Sequence, residues 1–569
     1  MLVSRAVECI ESPRQSQNQW WRDAVTYQIY IRSFADGNGD GIGDIEGIIS
    51  RLDYLKKLGV DAIWITPWYP SPQRDNGYDV ADFMDINPEY GTLEIAQKLI
   101  EQAHRAGIRI IIDIVPNHSS NEHLWFKEAL DSPPNSPERN RYLFREGKGK
   151  NGSEPPNNWQ SIFGGAAWSR VVENDGTHGQ WYCHIFAAEQ PDFNWENQEV
   201  KNYFIRVLRF WLDRGVDGFR IDVAHGLVKA AGLPDAPVQQ RIGLLESRAF
   251  PFWDQEGVHD IYREWRKLLD SYPNQRMAVA EAWVNPPSRS ALYVRPDELA
   301  NTFNFDFLTV IWDCASIKSS IDRSIDGMSR VGAPATWVLN NHDVVRAVDR
   351  LDLDLVAGQG ETTEERLGKT TLFNIDRGTR RSRAAALLML ALPGAAYLYQ
   401  GEELGLPEVR GIPADRLQDP IWQMSGHTDR GRDGCRVPLP WKASANGAFG
   451  FSDNADLTPH ESWLPQPSNW GHFSVELQED STVSMLNLYR TALRLRKTHP
   501  QLRGSFLRWV ESDDRQFVYT RTADADFLCQ ITFEVGETVP PGYEVLLSSQ
   551  KIQSGLIPPE TTVWLQRVK

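Results

Sequence analysis

The chain has 569 residues, 41% of them hydrophobic and 24% charged, with a net charge of −16 at pH 7. That length can bury a large core, and the acidic balance argues against binding nucleic acid or anionic membranes through general electrostatics. The five cysteines (Cys9, Cys183, Cys314, Cys435, Cys529) are scattered without a C-x-x-C pair, which excludes a disulfide framework or a zinc site of the usual spacing.

In chain order, the first twenty residues carry Arg5, Glu8, Glu11 and Arg14 and no apolar core, so they do not read as a secretory leader. Strand-like runs follow at VTYQIYI (25–31), AIWIT (62–66), IRIIIDIV (108–115), GFRIDV (218–223), AVAEA (278–282), WVLNN (337–341) and AAYLYQ (395–400). Between them lie helix-period segments such as 45–58, 93–106 and 201–214, several ending in Lys or Arg and then Gly, a C-cap signature. Strand, helix, glycine, strand implies parallel β with crossover helices. The alternation fits a doubly wound sheet or a closed barrel equally well. Residues 119–197 break the rhythm with a long polar, Pro/Asn/Gly-rich stretch, the mark of a functional loop or subdomain. The longest apolar run, 384–399, is broken by Pro393-Gly394 and is too short to span a bilayer; it reads as buried helix, turn and buried strand. After Leu502 short alternating runs (FVYTR, FLCQITF, EVLLSS, TTVWLQ) predict a separate antiparallel β domain. The expected compartment is the cytoplasm, with no membrane segment.

In a parallel barrel, catalytic groups sit at the C-terminal ends of strands. Those ends carry Asp113, Asn117 and His118, then Arg220 and Asp222, then Glu281, then His342 and Asp343. Carboxylates, imidazoles and a guanidinium thus come from four separate strands.

The segments DIVPNH (113–118), GFRIDVAHG (218–226), EAW (281–283) and NNHD (340–343) resemble, in order and spacing, the four conserved regions of the α-amylase family, glycoside hydrolase family 13. QPDFN (190–194) and YQGEELG (399–405) resemble two further motifs of that family, and WWRDAVTYQIYIRSF and DNGYDVADF resemble its oligo-1,6-glucosidase and α-glucosidase group. The resemblance implies a (β/α)8 TIM barrel formed by residues 1–117 and 195–500, an inserted domain B at 118–194 after strand 3, and a C-terminal antiparallel β domain at 501–569. It implies a retaining α-glucosidase acting on the non-reducing end of short oligosaccharides, as a monomer or homodimer. The alternative is a glucosyl transferase or sucrose-acting enzyme using the same residues. A catalytically dead binding module would lack the carboxylates present here.

By resemblance, Asp222 is the nucleophile and Glu281 the general acid and then base, with its pKa raised; Asp343 grips sugar hydroxyls. Arg220 belongs to the substrate-binding set and keeps Asp222 ionised. His118 and His342 donate hydrogen bonds to the sugar, and Tyr78 and Phe163 stack on it. Asp75 and Arg432 pair to close the pocket behind the first glucose, with Arg430 as the rival partner. The stretch 432–441 (RDGCRVPLPW) departs from the family's Arg-Asp-Asn-x-Arg-Thr-Pro-Met-Gln-Trp, which predicts a different aglycone side. In related enzymes Val at the position of Val223 accompanies α-1,6 activity, but Ala224-His225-Gly226 depart from the usual pattern, so no single linkage is implied. The loop DGNGDGIGD (36–44) offers oxygens at Asp36, Asn38, Asp40, the Ile42 carbonyl and Asp44, like the start of an EF-hand although Gly47 stands where a Glu is needed. By resemblance it holds a structural Ca²⁺ or Mg²⁺; the alternative is a tight glycine-rich turn.

Overall fold

The computed structural model describes residues 19–237, 250–284, 286–352 and 373–568; Cys9 and the rest of the N-terminal stretch 1–18 lie outside the described residues. Strands β1 (Val25–Ile29), β2 (Ala62–Ile65) and β3 (Arg109–Ile114) precede an insertion carrying β4 (Phe144–Arg145), β5 (Trp168–Val172) and β6 (His178–Cys183). There follow β7 (Gly218–Ile221), β8 (Met277–Ala280), β9 (Asn301–Thr302), β10 (Thr336–Val338) and β11 (Ala395–Tyr399). Among the described residues, eight of these form one sheet in the order β10-β11-β1-β2-β3-β7-β8-β9, every pair parallel. The edge strands β9 and β10 approach each other, Asn301 Nδ2 donating to Thr336 Oγ1 at 3.0 Å, so the sheet nearly closes into a barrel.

The barrel strands are short and almost wholly buried, which is why they read as continuous apolar runs rather than alternating ones. Seven were visible in the sequence. The strand β9, two residues long, was not, because two residues carry no periodicity. Of the helices between strands, Leu93–Ala106 starts on Thr92, whose side chain accepts from Ile95 N, and ends where Gly107 turns left-handed. The buried helix Ile375–Ala391 runs into Pro393-Gly394 and then β11, as the apolar run implied.

Two additions sit on the barrel. The insertion folds β4-β6-β5 into an antiparallel sheet. A second long connection, unnoticed in the sequence, runs from β7 to the helix Val258–Asp270. Its Val223, Phe252 and Trp253 pack against Trp159, Phe163 and Phe186 of the insertion, and Trp159 Nε1 donates to Pro234 O at 2.8 Å. Beyond the barrel come β12 (Arg508–Ser512), β13 (Gln516–Thr520), β14 (Phe527–Thr532), β15 (Glu537–Thr538), β16 (Tyr543–Ser548), β17 (Leu556–Ile557) and β18 (Thr561–Arg567). Five of them make an antiparallel sheet, β12-β13-β14-β18-β16, fastened to the barrel helix Ile375–Ala391 by Trp564 Nε1 to Leu387 O at 3.0 Å. Among the described residues no helix is long and apolar enough to cross a membrane.

The turn into β11 depends on Gly394, whose φ is +112° and whose added Cβ would lie 2.2 Å from the carbonyl oxygen of Ala335. Both the backbone conformation and the contact exclude a side chain. Gly394→Ala is expected to cost about 1–3 kcal/mol and to lower the calorimetric Tm; an unchanged Tm would show that the turn can shift without loss.

Candidate active site

Asp222 directly follows β7 and Glu281 directly follows β8, while His342 and Asp343 lie on the loop after β10. These groups therefore emerge at one mouth of the barrel. There, Asp75, Tyr78, His118, Phe163, Asp222, Glu281, His342, Asp343 and Arg432 line a single open cavity of about 630 Å³, the solvent at its mouth included. Arg220, grouped with the substrate-binding side chains from sequence, does not line it. It is 2% exposed and lies beneath the carboxylates.

The sheet explains where Arg220 points. In register it sits opposite Asp113 of β3, and its Nη1 donates to Asp113 Oδ1 at 2.9 Å. The same Nη1 donates to Asp222 Oδ1 in close contact, two residues along and so on the same face, and Nη2 lies 3.8 Å from Glu281 Oε2. Burial pushes the pKa of both Asp222 and Glu281 up, and Arg220 is the largest influence opposing it. The guanidinium touches Asp222 and only approaches Glu281, an asymmetry that favours the charged form of Asp222 more than that of Glu281.

Glu281 is held in place by Trp283 Nε1, which donates to Oε1 at 2.6 Å, and by the backbone N–H of Val223, which donates to Oε2 at 2.7 Å. Val223 has φ 45°. A β-branched residue in the left-handed region is strained by about 1–3 kcal/mol. That strained turn aims the N–H of the residue after Asp222 at Glu281.

At the far wall, Arg432 Nη2 donates to Asp75 Oδ1 at 2.9 Å, and Gln190 Nε2 from the QPDFN segment donates to Asp75 Oδ2 at 3.1 Å. Arg430 is turned away to the carbonyl of Ile412, so Arg432 is the partner. Two residues not singled out from sequence complete this network. Asp419 accepts from Arg432 Nε at 2.6 Å, and Arg436 Nη2 and Arg432 Nη1 each donate to Asp343 Oδ1 at 3.0 Å. Burial alone would raise the pKa of Asp343, but the charges of Arg432 and Arg436 beside it oppose this, and the carboxyl is held well below its usual range. Arg436 was readable as the second arginine of RDGCR; Asp419, in an irregular stretch, carried no signal. The departures at Gly434, Val437, Leu439 and Pro440 do not reach the cavity lining. A Cβ on Gly434 would meet Glu408 Oε1 at 2.3 Å, and Cys435 Sγ sits 3.3 Å from the carbonyl of His342. The change at Gly434 therefore belongs to the packing behind the site.

Tyr78 and His342 lie face to face, with an interplanar angle of 6°. Their polar ends join at 2.7 Å (Tyr78 OH to His342 Nε2), and the other ring nitrogen, Nδ1, lies 2.7 Å from Gln28 Nε2. His118 Nε2 lies 3.1 Å from Gln190 Nε2 and 3.2 Å from Tyr78 O. Burial lowers the pKa of both imidazoles, that of His118 to about 4. They are neutral hydrogen-bonding groups near pH 7.

The loop carrying Asp36, Asn38, Asp40, Ile42 and Asp44 lies apart from this cavity. Its oxygens accept backbone N–H groups: Asp36 from Gly39 and Gly41 at 2.6 and 2.8 Å, Asn38 from Asp40 at 2.9 Å, Asp40 from Ile42 at 2.8 Å and Asp44 from Gly47 at 2.6 Å. Burial pushes Asp44 up to about 6. Among the described residues no cluster of three His, Cys, Asp or Glu side chains is placed to hold a metal. A cation there would need the Asn38 amide and the Ile42 carbonyl as well.

The profile of the α-amylase catalytic domain matches residues 28–505. An oligo-1,6-glucosidase from Parageobacillus thermoglucosidasius is 35% identical over 548 residues, covering 90% of each chain. The crystal structure of an alpha-glucosyl transfer enzyme superposes with a TM-score of 0.83 at 32% identity, over 97% of this chain and all of the other. A trehalulose synthase variant does so with a TM-score of 0.79 at 29% identity, over 96% of this chain and all of the other.

Removing the cation beneath the carboxylates removes the largest influence lowering the Asp222 pKa. Arg220→Gln is therefore expected to move the acid limb of the kcat/KM–pH profile upward, by about one unit or more, with a large fall in kcat. An acid limb that stays in place would dissociate Arg220 from the ionisation of Asp222.

Proposed function

Because the chain belongs to the α-amylase family of glycoside hydrolases, we propose that it is a retaining α-glucosidase that removes single α-linked glucose units from the non-reducing ends of short oligosaccharides. The observation that carries this reading is the sharing of one guanidinium by Asp222 and Glu281. Two carboxyls bridged by a single planar cation are close together, as double displacement requires at about 5 Å, whereas single displacement with inversion needs roughly 6.5–9.5 Å.

Asp222, ionised against Arg220, attacks the anomeric carbon while Glu281 gives its proton to the departing glycosidic oxygen. The resulting glucosyl ester is then cleaved by water, from which Glu281 takes back a proton. Asp343, kept charged by Arg432 and Arg436, is suited to accept hydrogen bonds from sugar hydroxyls that strengthen as the ring gains positive charge. The Asp75–Arg432 pair limits the cavity to one terminal residue. Tyr78 and Phe163 face the sugar from its walls, and the neutral His118 and His342 hydrogen-bond its hydroxyls.

Transfer of the same glucosyl ester to a second sugar is the alternative. It is favoured by the likeness to an alpha-glucosyl transfer enzyme and a trehalulose synthase and by the apolar rings of Phe186 and Trp253 at the cavity, which can exclude water. We further propose that the 36–44 loop binds a hard cation, Ca²⁺ or Mg²⁺, through its all-oxygen donor set. Its role is to offset the charge of Asp36, Asp40 and Asp44, away from the chemistry. The unpaired, buried Cys183, Cys314, Cys435 and Cys529 suit the reducing cytoplasm.

Asp222→Asn is expected to cut turnover of an aryl α-glucoside by about 10⁴-fold or more, and proton NMR of early product from the unaltered enzyme should show α-glucose. A β anomer formed first, or an Asp222→Asn variant with near-normal turnover, would end the proposal. Chelation with EDTA should lower the Tm of the enzyme, and Asp40→Ala should abolish that response; a Tm insensitive to chelator would leave the loop closed by its own hydrogen bonds alone.

A further inference from the structure

One polar lining residue has no part in the chemistry above. His225, three residues after the nucleophile, lines the cavity and is 4% exposed. Its ring packs on Trp253 with centroids 4.5 Å apart and an interplanar angle of 34°, and its Nδ1 has no hydrogen-bond partner. The Glu281 backbone also faces the ring, but a buried ring nitrogen left unpaired is costly, and such atoms persist where a ligand completes them.

The ring is firmly placed. The His225 carbonyl accepts from Asp254 N at 2.7 Å, and the preceding Ala224 N donates to the Glu281 carbonyl at 2.8 Å. The following Gly226 passes so near Trp253 that an added Cβ would lie 2.6 Å from the indole. His225 therefore belongs to the Glu281 side of the cavity, away from the Asp75–Arg432 wall. The leaving group must occupy that side, because Glu281 protonates its oxygen. Around it, Phe186, Trp253 and Val223 offer apolar surface and, apart from the indole N–H of Trp253, no further hydrogen-bonding side chain, the Trp283 N–H being taken by Glu281. Burial and the neighbouring Lys229 push the His225 pKa down to about 3, so the ring meets its ligand uncharged.

We propose that His225, backed by Trp253, is a specificity-determining residue that hydrogen-bonds a hydroxyl of the leaving sugar, so that the cavity prefers a second sugar ring over a leaving group lacking hydroxyls. This rests on the α-glucosidase reading of the same cavity.

The test compares kcat/KM for isomaltose and maltose with kcat/KM for p-nitrophenyl α-glucoside, whose leaving group has no hydroxyl beside the scissile oxygen. In His225→Phe, which keeps a ring on Trp253, and in His225→Ala, the disaccharide-to-aryl ratio is expected to fall about tenfold or more for at least one disaccharide, since a site built around a hydroxyl is left unpaired. His225→Asn, which can still hydrogen-bond, should restore part of the ratio. A ratio unchanged in both Phe and Ala variants, including equal losses on all substrates, overturns the assignment, as does a ratio in the Asn variant no better than in the Phe variant. Measurable turnover of the aryl glucoside in these variants keeps the hydrolase reading separate from the fate of His225.

Discussion

A buried guanidinium organises this mouth of the barrel. Arg220 is almost fully enclosed, stacked 5.0 Å from the ring of Trp64, and a cation so placed is tolerable only if its charge is answered nearby. Asp113, Asp222 and Glu281 answer it. The dependence runs both ways, because carboxyls crowded in a low-dielectric site cannot all ionise without a cation. Asp113 takes hydrogen bonds from Trp64 and Tyr78 at 3.1 Å as well and anchors one side of the guanidinium. The other side is left for the reacting pair. None of this requires a special loop: parallel pairing of β3 with β7 sets Asp113 beside Arg220, and pairing of β7 with β8 brings Glu281 within reach.

The fourth-strand turn is where regular structure ends. Val223 adopts a backbone conformation that a β-branched residue avoids, and the surroundings must hold it there. Lys229 does much of this. Its buried ammonium donates to Asn117 Oδ1 at 2.9 Å and to Gly226 O at 2.5 Å, and pairs with Asp192 Oδ2 at 2.7 Å. One cation thus ties the connection after β3, the end of the insertion and the turn after the nucleophile. The strain at Val223 is matched by a gain in position, since the N–H it displays fixes one oxygen of Glu281.

What the sequence disclosed followed from burial and from charge. Strands buried on both faces announced themselves as β-branched runs, and their ends carried residues that the two-residue pleat then placed on one face; Arg220 and Asp222 are the plainest case. The strand β9 was silent because its two residues leave nothing to count. The β7-to-helix connection was silent for another reason: its apolar residues, Phe252 and Trp253 among them, pack against the insertion, a contact between segments far apart in sequence that no local pattern records. Asp419 is similar, its meaning coming only from the arginine it meets. The loop at 36–44 showed its oxygen spacing in sequence, whereas the backbone hydrogen bonds that occupy those oxygens belong to the folded turn.

The two ends of the cavity are built from different physics, and that division explains which of them evolution can alter. At the closed end Asp75, Asp343, Asp419, Arg432 and Arg436 form one continuous set of charge-assisted hydrogen bonds. Loss of Arg432 would leave Asp75, Asp343 and Asp419 short of their shared cation, a cost of about 3–5 kcal/mol. At the open end the lining is Ile162, Phe186, Val223 and Trp253, drawn from the insertion and the connection after β7 rather than from barrel strands. Apolar side chains exchange for one another at less than about 1.5 kcal/mol when volume is kept. The closed end is therefore locked to the ion network, while the open end is lined by surfaces that can change without dismantling the site. A single barrel can in this way keep Asp222 and Glu281 in place while the other end of its cavity varies.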